Sequence, residues 1–495
     1  MTVAQGSEPA VPLDRRPEGV STPPIHRLST PLSDPPDGWA GPVTRRWSRR
    51  PRRPDAQARE ILALAVPALG ALVVEPLFPL TDTAIVGALG PDALAGLGLA
   101  SAVLSTLVGL FVVLAYGTTA SVSRRLGAGD RAAALASGID GLWLAVAVGA
   151  VLVGVGWPTV PGLVDAFGAG AGASAAARSY LSVSLLGIPA MLLVLAATGV
   201  LRGLQDTRTP LVVAAVGFPS NALLSLVLVH GAGPLPALGV VGSAWGTVVA
   251  QLTMATWLVA LVVRGARREG VRLRPRGAGV RTAAVAGVPL LLRTLTLRLA
   301  LLATVLAAAS TGTDSLAAHQ VVFTVWTFAA FVLDALAIAA QALTGRSLGA
   351  GDAEGTRATT RRMVRWGIGG GAVLGLLLAS GSPWLPWLFS ADEQVRAGIT
   401  VGLVVIAVTA PLAGYVFVLD GVLIGAGDGP YLARAGVWAL LGYLPLLAGV
   451  PLSGLTGTPG LLVLWLVFAG GYMAARAFTL GLRERSGRWM VLGAG

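Results

Sequence analysis

Residues 60 to 89 read EILALAVPALGALVVEPLFPLTDTAIVGAL, an apolar run long enough to cross a bilayer as a helix, yet it carries Glu75 and Asp82. An ionised acid at bilayer depth costs at least about 3 kcal/mol on insertion scales, so acids in such a run bind or carry a cation unless something else accounts for them. The two lie seven positions apart. At about 100° per residue they return to within about 20° of one helix face. Both are therefore expected to look into one wet or protein-lined space, where a proton can be exchanged.

The rest of the chain is equally apolar. Hydrophobic residues make up 54%, charged residues 12%, and mean hydropathy is +0.75, which places the chain among integral membrane proteins. It contains no Cys and no Lys, so all 36 basic residues are Arg. Without Lys there is no Walker phosphate loop or Schiff base, and without Cys there is no disulfide or thiolate metal site. His26, His230 and His319 are too scattered for an imidazole cluster. No metal or other cofactor is expected.

Twelve apolar spans follow the tail, at about 60–89, 93–123, 131–157, 175–201, 208–230, 237–263, 279–309, 315–345, 357–381, 395–424, 430–450 and 458–482. If the N-terminal segment is cytosolic, 31 of the 36 arginines fall on the cytosolic side, and only Arg178 and Arg396 fall outside. Arg293, Arg298 and Arg476 lie within spans. The positive-inside rule then sets both termini in the cytosol, and charge spread over membrane-flanking loops excludes a nucleic-acid partner. The expected organisation is a disordered basic tail (1–58), a six-helix lobe (59–263), a cytosolic linker (264–278), a second six-helix lobe (279–482) and a cytosolic tail (483–495). No cleavage site for a signal peptide follows the basic run at 45–54.

The two halves repeat at a constant offset of 222 positions: Pro67 meets Pro289, Asp92 meets Asp314, Pro189 meets Pro411, and LGAGD at 126–130 returns at 348–352. Six helices per unit start both copies on the same side, so the repeats are parallel, and such pairs commonly hold a site between them. Gly141, Ala145 and Gly149 match Met363, Gly367 and Gly371 in the second copy, with Gly375 one turn further, and small residues at every fourth position are expected to let helices pack closely. Asp92 and Asp314 are expected to be N-caps, and the LGAGD glycines helix C-caps.

PLFPLTDTAIVGALG in the first span, LGAGD closing the second, TDSLAAHQV and FVLDALAIAAQALTG in the eighth, and DGVLIGAG in the tenth together resemble the multidrug and toxic compound extrusion (MATE) transporters, in particular the branch named for the DNA-damage-inducible protein F. The resemblance covers residues 58 to about 482. It implies an all-α integral membrane protein whose twelve transmembrane helices form two parallel six-helix repeats in a V-shaped pair of lobes. It also implies export of diverse, often cationic and hydrophobic compounds against inward H⁺ or Na⁺.

Asp82 matches the family's coupling aspartate. Glu75, about two turns deeper, is expected to assist it. Asn221 matches a polar family position in the fifth span, and Ser225 stands one turn on where relatives often place an acid, which weakens a Na⁺ site and leans toward H⁺. Thr247 and Gln251 of the sixth span are expected to face Asp82, with interhelical hydrogen bonds as the alternative. In the second lobe, Asp334 and Gln341 share a seven-residue spacing, and Arg293 and Arg298 are expected partners for Asp334 in a polar cavity. Asp420 is expected to contact a helix terminus, and His319 to be a satisfied polar residue. Pro67, Pro76 and Pro79 each remove a backbone hydrogen bond and are expected to bend or break the first helix beside its own acids. The chain reads as a monomeric secondary antiporter for amphiphilic small molecules, the alternative being a flippase for lipid-linked precursors. A hydrolase is excluded because the two acids lie on one helix about 10 Å apart along its axis, too far to flank one bond.

Overall fold

The computed structural model describes residues 54–494, so most of the basic segment expected at 1–58 lies outside the described residues, and the chain is already helical from Pro54. Lipid offers backbone groups no hydrogen-bond partner, and a chain this apolar satisfies them internally as long helices. Among the described residues, twelve helical stretches are long and apolar enough to cross a membrane. They comprise α1 (Pro54–Val74), α2 (Leu77–Gly87), α3 (Pro91–Phe111), α4 (Val113–Gly127), α5 (Arg131–Asp165), α6 (Ala171–Gly203), α7 (Arg208–His230) and α8 (Val240–Arg268). The second half holds α9 (Gly277–Ala309), α10 (Thr313–Gly349), α11 (Ala353–Gly381), α12 (Glu393–Gly425), α13 (Gly429–Leu452), α14 (Gly457–Trp465) and α15 (Met473–Ser486). Helices α1 and α2 make the first span, α3 and α4 the second, and α14, a π-helical segment Leu466–Tyr472 and α15 the twelfth. Large apolar side chains such as Leu452, Val408 and Leu376 stand exposed on the outside, as a lipid-facing surface requires.

Each repeat has its own apolar core, one built from α3 to α8 and one from α9 to α15. Ile61, Leu64 and Ala65 of α1 are part of the second repeat's core, and α1 packs on α10 and α7 while α2 packs on α3 and α7. The first span therefore crosses from one repeat to the other.

Small residues set the closest helix contacts. A Cβ at Gly371 would meet the Ala410 carbonyl oxygen at 2.3 Å and the Pro411 Cα at 2.9 Å, and one at Gly149, 222 positions earlier, would meet the Pro189 Cα at 2.7 Å. Backbone lies against backbone at equivalent places in both repeats. The two LGAGD motifs divide their work. Gly129 (φ 83°) and Gly351 (φ 73°) adopt the left-handed conformation that stops a helix. Asp130 and Asp352 then accept from the backbone N–H of Ala133 and Gly355, each at 2.7 Å, and start the next helix. The first glycine of each motif is not a cap. A Cβ at Gly127 would lie 2.0 Å from the Arg346 carbonyl oxygen, and one at Gly349 would lie 1.9 Å from that of Arg124. Positions 124 and 346 are themselves repeat partners, so α4 and α10 cross in a reciprocal contact between the repeats. Arg124 also donates to the Ala426 carbonyl at 2.8 Å and to that of Val491, while Arg346 pairs with Glu60.

Asp92 and Asp314 are not the N-caps. Gly90 (φ 115°) and Gly312 (φ 110°) take those positions, and the acids sit in the first turn, where the helix dipole still favours them. Between the repeats, the linker is tied to α5: Arg276 pairs with Asp140, and the Trp143 indole donates to the Leu273 carbonyl at 2.9 Å.

Candidate functional site

The first span breaks at Glu75–Pro76. Of the three prolines only Pro76 coincides with a break. Pro67 lies inside α1 without interrupting it, and Pro79 is the third residue of α2, where a missing N–H leaves no intrahelical bond unmade. The backbone stays near helical values across the break, with Pro76 at φ −64° and ψ −17° and the Leu80 N–H donating to the Pro76 carbonyl at 3.4 Å.

Asp82, on α2, is 4% exposed. It accepts four hydrogen bonds: at Oδ1 from Ser243 (3.0 Å) and Ser225 (3.3 Å), and at Oδ2 from Thr247 (3.1 Å) and Tyr180 (3.2 Å). The donors come from α6, α7 and α8, so three helices converge on one carboxylate. Among the described residues no basic side chain bonds it. Hydrogen bonds to a charged group contribute about 1.5–3 kcal/mol each, so the hydroxyls offset part of the cost of burying a carboxylate among helices. Thr247 Oγ1 also lies 3.1 Å from Asn221 Oδ1, and its one proton serves either acceptor. Asn221 Nδ2 has no partner.

Two glycines of α8 build this convergence. A Cβ at Gly242 would meet the Leu228 carbonyl oxygen at 2.4 Å, and one at Gly246 would meet Ser225 N at 2.7 Å. They press α8 onto α7 and bring Ser243 and Thr247, each one residue after a glycine, to the seam beside Ser225. Ser243 and Tyr180 were missed in the sequence. The GSAWGT run at 242–247 carried the signal for Ser243, whereas Tyr180 is distant in sequence and has no local mark. Gln251 is buried, but its Oε1 makes no hydrogen bond and it does not reach Asp82.

Glu75 belongs to a different neighbourhood. Its side chain is exposed at the break, and the charges acting on it are Arg202 of α6 and Asp334 of α10. Arg202, which the sequence places in a cytosolic connection, is buried in the last turn of α6. The expected second-lobe group does not assemble. Asp334 lies within Coulombic range of Arg202 and Arg293 without bonding either. Arg293 instead pairs with Asp420, which also accepts from Arg476 at 2.9 Å. Asp420 is therefore the centre of a buried ion triad and not a helix-terminus contact. Arg298 lies against Gly109 of α3, and Gln341 donates to the Tyr116 carbonyl of α4 at 2.8 Å. His319 is fully buried with neither ring nitrogen hydrogen-bonded among the described residues, its ring stacked 5.9 Å from Phe323 and tilted 5.4 Å from Trp465. The expectation of a satisfied histidine fails because the aromatic side chains around it offer no acceptor. No group of three or more metal-ligating side chains occurs among the described residues.

Comparison with known proteins agrees with this architecture. The MatE family model matches twice, over residues 67–227 and 289–446, two stretches that begin 222 positions apart. The DNA damage-inducible protein F of Escherichia coli is 27% identical over 441 residues, spanning 86% of this chain and 93% of that protein. A probable multidrug resistance protein NorM of Pseudomonas putida is 31% identical over 331 residues, 65% of this chain and 70% of the relative. A crystal structure of a MATE transporter in a bent conformation superposes with a TM-score of 0.78 at 21% identity, covering 87% of this chain and 96% of that one. With twelve membrane-length helices in two tandem copies and both copies matched, the chain belongs to the MatE family of multi-pass membrane transporters, and it is a transporter and not an enzyme.

Proposed function

We propose that the chain is a secondary active antiporter of the cytoplasmic membrane, with both termini in the cytosol, that exports hydrophobic or cationic small molecules in exchange for H⁺. The observation carrying this reading is Asp82, a buried carboxylate in a membrane-spanning helix with four hydroxyl donors and no basic partner among the described residues. The name of the Pseudomonas putida relative supports drug efflux, and the arginine distribution supports the orientation. A Na⁺ ion would have to wedge between the carboxylate and hydroxyls already within 3.3 Å of it, whereas a proton adds no volume.

With the cavity open outward, Asp82 takes up a proton and becomes a donor. Thr247 then turns its proton to Asn221, α2 repacks against α6, α7 and α8 about the break at Pro76, and substrate leaves. Once the repeats have rocked inward, the proton passes to the cytosol and the ionised pocket favours a new cation. The electrical part of the gradient supplies about 2.3 kcal/mol per charge per 100 mV. Purified protein in vesicles tests this: transport of an ethidium-type dye should follow an imposed pH gradient and not a Na⁺ gradient, and Asp82→Asn should lower it at least tenfold while inserting normally. Full proton-driven transport by that variant refutes the coupling.

A further inference from the structure

We infer that residues 487–494 form a strap that latches the two repeats together on the face bearing the LGAGD turns, and that it must let go before that face can open. The inference does not depend on the coupling ion and rests only on alternating access between the repeats. Helix α15 stops at Gly487, whose left-handed φ of 66° turns the chain back. Trp489 then anchors it: the residue is 2% exposed, belongs to the second repeat's apolar core, and its indole donates to the Glu484 carbonyl at 3.0 Å. Val491 and Leu492 follow with their side chains exposed, so beyond Trp489 the strap makes its contacts with backbone.

Those contacts join the repeats. The Gly493 N–H donates to the Leu348 carbonyl near the end of α10 at 2.9 Å and docks the strap on the second repeat. From the first repeat, Arg124 of α4 donates through Nη2 to the Val491 carbonyl and through Nε to that of Gly493 at 3.4 Å, while Nη1 takes the Ala426 carbonyl between α12 and α13 at 2.8 Å. Arg124 is buried and, among the described residues, bonds no carboxylate. A buried guanidinium needs acceptors for its fork of donors, and two of the three that Arg124 has lie on the strap.

The repeat partner of Arg124 depends on no such segment, since Arg346 pairs with a carboxylate, Glu60 of α1. If α4 and α10 part at their crossing, Arg124 leaves with the first repeat, while Leu348, Ala426 and the strap stay with the second. All three bonds of the guanidinium are then lost together, so they stabilise the closed face and not the open one. Ser123 reports which face is present. It is fully buried, and a Cβ at Gly345 of α10 would lie 2.0 Å from its Oγ, so α10 shields this side chain until the crossing opens.

The chain has no native cysteine, so Ser123→Cys in the full chain in nanodiscs, treated with a maleimide without substrate or ion gradient, tests the latch. Adding Gly493→Pro should speed labelling about tenfold, because losing contacts made only in the closed state shifts the population toward the open one. Proline lacks the N–H that reaches Leu348 and cannot take the φ of 95° found at Gly493. Arg124→Gln should act in the same direction, whereas Leu492→Ala, which leaves every backbone bond in place, should label at the parent rate. A Gly493→Pro protein that stays monodisperse, melts with the parent and labels no faster overturns the inference, as does equal acceleration by Leu492→Ala. If Arg124→Gln does not insert, hydrogen exchange on the parent decides beside Gly493→Pro: a protected Gly493 amide supports the strap, and one exchanging like a free amide overturns it. Asp82→Asn should leave the labelling contrast intact while losing coupling, so failure of the antiport reading and failure of the latch are told apart.

Discussion

Four hydroxyls on one carboxylate make Asp82 sensitive to each of them. Removing Ser243 Oγ takes away the shortest of the four bonds, at 3.0 Å, while the α7–α8 seam set by Gly242 and Gly246 remains. Ser243→Ala is therefore expected to insert and fold as wild type but to lower proton-driven dye efflux several-fold, with Tyr180→Phe acting in the same direction. Initial efflux rates in vesicles at fixed protein density check this, and unchanged rates in both variants would show that the shell does not set coupling. The repeat gives an internal comparison. Position 304, the partner of 82, is Thr304, and position 443, the partner of 221, is Tyr443; their hydroxyls lie 2.6 Å apart. The second repeat keeps the contact between these two helices and drops the charge.

At the scale of elements, the crossing of α4 and α10 brings backbone against backbone between the repeats, with carbonyl oxygens standing where Cβ atoms would be at Gly127 and Gly349. Neither carbonyl can move without carrying its helix. Gly349→Val is expected to force the helices apart and lower the melting temperature by several degrees, a cost of roughly 1–3 kcal/mol of the kind overpacking produces; a thermal unfolding scan in detergent reads it. Gly351→Ala, at a left-handed φ facing open space, should cost less, and equal losses in the two variants would contradict the assignment of one glycine to packing and the other to the cap. The LGAGD string was legible as a helix end from its glycines alone. That its first glycine is a contact between repeats was not, because the atom it avoids belongs to a residue more than 200 positions away.

For the whole molecule, the absence of native cysteine makes topology directly measurable. Single cysteines at Arg178 and Arg396 should react with an impermeant thiol reagent added outside intact cells, and cysteines at Arg272 and Arg357 should react only after the membrane is opened. Labelling of Arg272→Cys from outside would invert the orientation. The linker bearing Arg272 lies along α5 through Arg276 and Asp140, a docking that its run of arginines did not foretell, since such runs read equally well as free, solvated loops.

The sequence by itself determined the number and order of the membrane spans, the twofold repeat and its offset, the asymmetry of the arginines and the presence of two first-span acids, Glu75 and Asp82, opposite Leu297 and Thr304 in the second repeat. These are properties of hydropathy, charge and self-similarity, all of which can be read along a chain. Only the tertiary structure decided which side chains meet. It gave Asp82 and Glu75 different surroundings, hydroxyls for the one and the charges of Arg202 and Asp334 for the other. It gave Asp82 its ring of hydroxyls from three other helices, and it joined Arg293 to Asp420 instead of Asp334. In a bundle of apolar helices, the rotation of each helix is set by where glycines allow backbones to touch, and that is a relation between distant residues.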